Sequence, residues 1–224
     1  MPVSLVAALG NPGRDYTETR HNVAWQLIDA WSDPLRPPWK KAREHNADVA
    51  KIAYAGRAVW LAKPLTYMND SGRAVSSLAR YFKIPFHEVA VLYDELQLPL
   101  GGLKIALKGS AGGHNGVTSV LEHCGSDFVR VRLGIGNRPD RRIDLKDWVL
   151  GRFTAEEQLV LAEAMPKWRA ALDTLLRFGP ETAMNRHNQK TPKPKPEPET
   201  ASVKLADTET SDPKPTVSDQ DPAP

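Results

Sequence analysis

The sequence lacks the features that would place it in a membrane or in an oxidising compartment. Its 224 residues include a single cysteine, Cys124, so an internal disulfide framework is excluded and a reducing compartment is favoured. No stretch approaches the ~18 apolar residues that a membrane span requires. The N-terminus carries neither a basic region nor a long apolar one before its first apolar run. We therefore expect a cytoplasmic protein without a signal peptide or a membrane segment.

Sequence motifs for common cofactors and catalysts are also missing. The chain contains neither G-x-G-x-x-G before a helix nor G-x-x-x-x-G-K-[ST], which argues against a dinucleotide or triphosphate site. His114, His123 and Cys124 are separate zinc-ligand candidates, but no H-E-x-x-H or C-x-x-C spacing pairs them. A serine hydrolase would need G-x-S-x-G, which is absent. The sequence predicts no cofactor and no metal.

The C-terminal segment differs in composition from the rest of the chain. From Thr191 to Pro224 there are eight prolines and no aromatic residue, and four lysines face seven acidic residues. Such a stretch buries too little apolar area to offset the entropy of ordering it, so residues 189–224 are predicted to be a Pro-rich disordered tail. The chain carries +3 and residues 191–224 carry −3, which leaves +6 on the remainder. This excess is compatible with a polyanionic partner.

Residues 1–188 are predicted to form a single α/β domain. Strands and helices interleave, which favours a twisted mixed, largely parallel sheet flanked by helices. Pro34 and Pro85 end the first two helices, and the capping-box sequence from Thr154 opens the longest. The predicted strands are Ser4–Leu9, Ala47–Tyr54, Val59–Ala62, Val89–Tyr93, Leu103–Leu107 and Phe128–Ile135, and the predicted helices run from about Asn22, from Asp70 or Ser71, and from Thr154 to about Phe178.

Three glycine-flanked asparagines, Asn11, Asn69 and Asn115, carry the functional signal, with histidines at His21 and His114. An asparagine side chain offers hydrogen-bond donors and an acceptor without charge. Several of them in one cleft can hold a neutral ester and a water molecule while a histidine moves the proton. Taken singly, the glycines also fit ordinary tight turns, and each histidine also fits a structural position.

The topology predicts that these side chains gather in one place. Asn11 and Asp94 follow predicted strands directly, Asn69 follows one after several residues, and His114 precedes the next helix. In sheets of this kind, ligands bind at the carboxyl ends of the strands. One rim of the sheet is therefore expected to collect the catalytic groups.

Taken together, the motifs resemble the bacterial peptidyl-tRNA hydrolase family over about residues 3–188, in family order and with no counterpart for the tail. The matching stretches are Leu9–Gly13 with Tyr16 and Thr19–Val23, Lys63–Gly72, Asp94–Gly101, Gly112–Gly116, Arg130–Gly136 and Trp148–Gly151. Several are long enough to be highly specific.

The resemblance implies a metal-independent enzyme that hydrolyses the ester joining a peptide to the terminal ribose of tRNA, and so recycles tRNA from prematurely released chains. His21 matches the catalytic base and Asp94 the residue that orients it. The positions matching substrate-binding residues are Asn11, Tyr16, Tyr67, Asn69, His114 and Asn115. The family default is a monomer.

Four basic residues are candidates for tRNA phosphates: Lys104, Lys108, Arg130 and Arg132. The alternation of the two arginines with apolar residues predicts a solvated strand face carrying both. The resemblance makes Arg132 the closest match to a family phosphate contact. The sequence departs from the family pattern at Ala106, where many relatives are basic, and also at Tyr93 and Gln97, without loss of a catalytic group.

Two other functions remain open at this stage. One is a non-catalytic RNA-binding relative of the same fold, of the intron-splicing type, which would carry a transit peptide and an apolar partner patch. The other is a generic esterase, which would lack the basic strand.

Overall fold

The computed structural model describes residues 2–188, in which seven strands form one mixed sheet. The strands are β1 (Leu5–Ala8), β2 (Lys40–Ala42), β3 (Ala47–Tyr54), β4 (Arg57–Pro64), β5 (Val89–Glu95), β6 (Leu103–Ala106) and β7 (Val129–Gly134). Their order in the sheet is β2-β3-β4-β1-β5-β7-β6. The four central strands, β4, β1, β5 and β7, run parallel, while β2, β3 and β6 are antiparallel to their neighbours.

Helices cover both faces of the sheet. The first and fifth share one apolar cluster with sheet residues such as Val6 and Leu92, and the second and third share another with Leu5 and Val91. Because the central strands are buried on both faces, β1 and β5 read as continuous apolar runs. The helices are α1 (Val23–Ser32), α2 (Ser71–Tyr81), α3 (Asn115–Cys124), α4 (Leu145–Leu150), α5 (Ala155–Phe178) and α6 (Pro180–His187).

The structure confirms the predicted α/β class and most elements. Strand β3 has the predicted bounds, and α5 begins with the predicted capping box at Thr154. The first helix begins at Val23, one residue after its predicted start, and a 3₁₀ turn over Arg20–Asn22 precedes it. The segments β2, α4 and α6 were not predicted, since each is short and α4 follows a charged stretch without apolar periodicity.

The sheet topology places the carboxyl ends of β1 and β5 side by side, since these strands pair in parallel. The predicted disordered tail at 189–224 lies outside the described residues. No helix in residues 2–188 combines the length and the apolar character that a membrane crossing requires.

Candidate active site

A cavity of about 670 Å³ opens at the carboxyl ends of β1 and β5. Leu96 and helix α4, through Leu145, Lys146, Val149 and Leu150, contribute to its lining. The structure brings together every residue predicted to be catalytic or substrate-binding, because all of the following line this cavity: Asn11, Tyr16, His21, Tyr67, Asn69, Asp94, His114 and Asn115.

His21 and Asp94 form a buried hydrogen-bonded pair. His21 Nδ1 lies 2.8 Å from Asp94 Oδ1, and the two residues are 9% and 3% exposed. The 3₁₀ turn that carries His21 packs beside the end of β5, where Asp94 is the sixth of seven buried residues. A carboxylate at Nδ1 places the proton on that nitrogen, so Nε2 is left unprotonated as a base.

His114 contacts the same carboxylate oxygen from the other side. Its Nε2 lies 2.9 Å from Asp94 Oδ1, and its Nδ1 accepts the Val117 N–H at 3.2 Å. Because Nδ1 is used as the acceptor that caps α3, Nε2 carries the proton and donates to Asp94. Asp94 therefore receives two N–H donors at a single oxygen, and the imidazole rings of His21 and His114 lie 4.9 Å apart.

The two imidazoles determine the charge of Asp94. Burial alone would raise the pKa of this carboxyl, but His21 and His114, with their hydrogen bonds, hold its pKa well below the ordinary range. Asp94 is therefore ionised at any working pH. A fixed negative charge at this point orients His21 and favours the imidazolium that forms when His21 takes up a proton.

Asn11 is fixed by contacts from two other segments. The fully buried Asn22 forms two hydrogen bonds with the Asn11 backbone. Its Oδ1 accepts the Asn11 N–H and its Nδ2 donates to the Asn11 carbonyl, both at 2.9 Å. Asn11 Oδ1 in turn accepts the Met68 N–H at 2.8 Å. Since its oxygen is occupied, Asn11 has its amide N–H₂ group left to offer a substrate. These hydrogen bonds also connect the loop that carries Tyr67 and Asn69 to the segment that carries His21 and Asn22.

The chain as a whole is similar to known proteins. The family model described as peptidyl-tRNA hydrolase matches residues 5–195. The chain belongs to the peptidyl-tRNA hydrolase family.

Individual family members are similar over most of their length. The peptidyl-tRNA hydrolases of Lachnospira eligens and Aquifex aeolicus are both 42% identical, over 82% and 85% of this chain and 98% of each relative. A crystal structure of peptidyl-tRNA hydrolase from Acinetobacter baumannii superimposes with a TM-score of 0.78 at 30% identity, covering 83% of this chain and 94% of that one. Hydrolysis of peptidyl-tRNA, an ester hydrolysis linked to translation, is the function of this family.

His21, Asp94 and His114 also form the one group within residues 2–188 whose ligand atoms are close enough to hold a metal ion, all within 4.8 Å of one another. In the observed hydrogen bonding, however, the protons on His21 Nδ1 and His114 Nε2 point at Asp94, and a metal would have to displace both. The absence of a metal from the reaction stays a prediction.

The predicted solvated arginine face is wrong for Arg130. This residue is 1% exposed, its guanidinium lies 4.1 Å from the centre of the Phe128 ring, and its three nitrogens have no hydrogen-bond partner within residues 2–188. Alternation along a strand indicates one shared face but not whether that face is covered. Here β7 is an inner strand between β5 and β6, and the loop at Gly109 passes close to the Arg130 side chain.

The other three predicted phosphate-binding residues are accessible to different degrees. Lys104 and Lys108 are exposed, and Lys104 pairs in register with Arg132 across β6 and β7. The Arg132 side chain is 23% exposed and forms an ion pair with Glu95 Oε2 at 2.6 Å. Ala106 stands opposite Arg130 in the same ladder. Basic groups thus line this edge of the sheet, and the two lysines are the most exposed of them.

Sequence reasoning missed two residues with a structural part in the site. Asn22 had a visible signal, because it directly follows His21 in the matching stretch, yet only the structure shows that it bonds Asn11. Arg20, directly before His21, is 4% exposed and contacts α4 and α5. The sequence offered no sign of either contact, since the partners lie far along the chain.

Proposed function

We propose that this protein hydrolyses the ester between a peptide and the terminal ribose of tRNA, with His21 as the general base. The observation that carries this proposal is the His21–Asp94 hydrogen bond, which leaves His21 Nε2 unprotonated in a cavity lined by amide side chains. An aminoacyl ester is an activated acyl group, so a well-placed base and water suffice for its cleavage.

The reaction begins when His21 Nε2 removes a proton from water as the water oxygen attacks the ester carbonyl. The carbonyl carbon becomes tetrahedral and its oxygen gains the negative charge. When the intermediate collapses, the bond to the ribose oxygen breaks, and the imidazolium of His21 returns the proton to that oxygen. The products are a free peptide carboxylic acid and tRNA with its terminal hydroxyl restored.

The asparagines stabilise the charge that develops on the carbonyl oxygen. Asn11 is pre-oriented, since its own oxygen is held by Met68 N and its backbone by Asn22. A donor fixed before the substrate arrives needs no reorganisation during the reaction, which is the condition for strong transition-state stabilisation. Asn69 and Asn115 supply further amide groups in the same cavity. Tyr16 and Tyr67 also line it, and they are proposed to contact the acceptor end of the RNA.

His114 acts as a second support for Asp94. Its hydrogen bond to Asp94 Oδ1 fixes the carboxylate. His114 is itself held in place as the N-cap residue of α3. We assign His114 to substrate binding and to the orientation of Asp94. It does not take up the proton, because both of its ring nitrogens are used in hydrogen bonds.

Lys104 and Lys108 are the main proposed contacts for the RNA phosphates, and the partly exposed Arg132 is a secondary one. Exposed lysines can approach a phosphate and release its counterions without breaking an existing contact. Arg132 would share its charge between a phosphate and Glu95. Arg130 is buried and supports this edge from within. The protein is proposed to work as a monomer in the cytoplasm, as expected from its single cysteine and its family.

One assay separates this function from its alternatives. The purified protein is incubated with a peptidyl-tRNA and, separately, with the methyl ester of the same peptide. Release of peptide from the tRNA with almost none from the methyl ester supports the proposal. Equal release from both indicates a generic esterase, and binding of tRNA without release indicates a non-catalytic RNA-binding relative.

A further inference from the structure

Arg20, the residue before His21, makes more contacts than are needed to pair one buried charge. Its Nη2 lies 2.6 Å from Glu157 Oε2 and its Nη1 lies 3.4 Å from the Trp148 carbonyl oxygen. Its guanidinium carbon also lies 3.6 Å from the centre of the Trp148 ring. A planar guanidinium can satisfy a carboxylate, a carbonyl and an aromatic face at once, which a lysine cannot.

These contacts join three separate segments of the chain. Trp148 belongs to α4, and Glu157 lies in the first turn of α5, where its Oε2 also accepts the Thr154 N–H at 2.8 Å. The Arg20 backbone N–H donates to the Gly151 carbonyl at 3.0 Å. A Cβ at Gly151 would lie 3.0 Å from Arg20 Nη1, so the glycine leaves room for this close approach.

Helix α4 depends on such contacts for its position. It has six residues, of which Val149 alone is buried. A helix this short has little stability of its own in water. Residues on two sides of α4 serve different purposes: Val149 and Leu150 line the substrate cavity, whereas Trp148 faces Arg20 and donates its Nε1–H to the Gly136 carbonyl at 3.3 Å.

We propose that Arg20 is a positioning residue that holds α4 against the 3₁₀ turn that carries His21, and so fixes the width of the substrate cavity. The proposal rests on the proposed hydrolase function, since the cavity is the one assigned to peptidyl-tRNA. The ion pair with Glu157 neutralises the charge of Arg20, so Arg20 acts through the placement of α4 and not through its charge on His21.

The test is Arg20→Lys, which keeps the charge and loses the planar group. The expected result is a KM for peptidyl-tRNA raised about 5–10-fold, with kcat within about twofold of wild type and an unchanged pH profile of kcat. The matched control is Arg152→Ala. Arg152 is exposed and forms an ion pair with Glu18 at 3.3 Å beside the same segment, so its removal should leave both constants unchanged.

Hydrogen exchange provides a readout that does not depend on activity. In Arg20→Lys, the amides of residues 146–150 should exchange about tenfold faster or more, while those of β5 keep their wild-type rates. A residue that only stabilised the whole fold would speed up exchange throughout and lower the active fraction, without a change in KM. A wild-type protein that fails to hydrolyse peptidyl-tRNA would refute the proposed function, and the exchange result would still report on the Arg20 contacts.

Faster exchange throughout the protein without a change in KM would overturn the proposal, and so would two other outcomes. A fall in kcat at unchanged KM would mean that Arg20 places His21, and unchanged kinetics with unchanged exchange in α4 would mean that α4 is held by other contacts. If Arg20→Lys does not fold, Trp148→Leu decides between the same outcomes, because it keeps the ion pair with Glu157 and removes the stacked ring. The expected rise in KM for Trp148→Leu is about threefold.

Discussion

The proposed catalytic centre at the end of β5 and the basic edge at β6 belong to one sheet, with β7 between them, yet their charged groups are held in opposite ways. Asp94 on β5 is 3% exposed and receives hydrogen bonds from two histidines. Lys104 on β6 and Lys108 beyond it are exposed to solvent. The centre is organised before any substrate arrives, whereas the proposed RNA contacts at the edge would form only on binding. Changes at the centre should therefore reduce kcat, and changes at the edge should raise KM.

His21→Ala should have the largest effect of all. Loss of the general base is expected to lower kcat by about 10²–10⁴-fold, while the affinity for tRNA stays close to wild type because phosphates supply most of it. Single-turnover hydrolysis and tRNA binding measure the two quantities separately. His87→Ala is the control, since His87 lies outside the cavity and its side chain is 37% exposed. Near-normal turnover of folded His21→Ala would remove His21 from its role.

Asn11→Asp tests the donor role at the centre. The substituted side chain keeps an oxygen for the Met68 N–H but has no N–H₂ group, so kcat should fall by about 10²–10³-fold, as for other lost oxyanion donors. Steady-state kinetics provides the measurement, with Asn11→Ala as the companion variant. A variant with full activity would show that Asn11 serves only to hold the Met68 segment.

Asp94→Asn should lower kcat by less than the loss of His21, by about 10–10²-fold, because the imidazole remains but is poorly oriented. The same variant has a stability consequence. The pKa of Asp94 is lower in the folded state than in the unfolded chain, so its contribution to stability is present above the unfolded pKa of ~3.9 and is lost as pH falls through the folded pKa. The stability gap between wild type and Asp94→Asn should therefore stay constant from pH 7 to about pH 5 and narrow as the pH falls below about 4. Denaturant unfolding at several pH values measures it, and a gap that stays constant over the whole pH range would contradict the assignment.

Lys104→Ala and Arg130→Met sharpen the comparison at the edge. Loss of the exposed Lys104 should raise KM a few-fold and reduce the salt slope of binding by roughly 0.7–0.9, the contribution of one phosphate contact. Arg130→Met removes a buried cation, so the salt slope should stay unchanged and thermal stability should change instead. Titrations at several salt concentrations distinguish the two. Equal slopes in Lys104→Ala and wild type would exclude Lys104 as a phosphate contact.

Removal of metal ions should have the smallest effect. Dialysis against a chelator is expected to leave kcat and KM unchanged, because the nitrogens of His21 and His114 that face Asp94 carry protons in the assigned hydrogen bonding. Addition of zinc to the dialysed enzyme serves as the converse experiment. A loss of activity that added metal restores would show that the three side chains bind an ion.

The sequence alone was sufficient for the family, for the α/β class and for eight of the residues that line the cavity. Local patterns explain this success. Apolar runs indicate buried strands, proline and capping signals bound the helices, and the carboxyl ends of parallel strands collect polar loops at one rim. His21, Asp94 and Asn11 all occur in such loops or strand ends, so their convergence followed from topology.

Tertiary structure decided the contacts between residues far apart in sequence. Arg130 and Arg132 share one strand pattern, but the Phe128 ring and the Gly109 loop lie against the buried Arg130, whereas Arg132 stays partly exposed. Two hydrogen bonds join the Asn22 side chain to the Asn11 backbone, and Arg20 contacts Trp148 and Glu157. These contacts depend on the packing of segments up to 137 residues apart. Sequence periodicity reports which side chains share a face, whereas burial and pairing depend on what the rest of the chain places over that face.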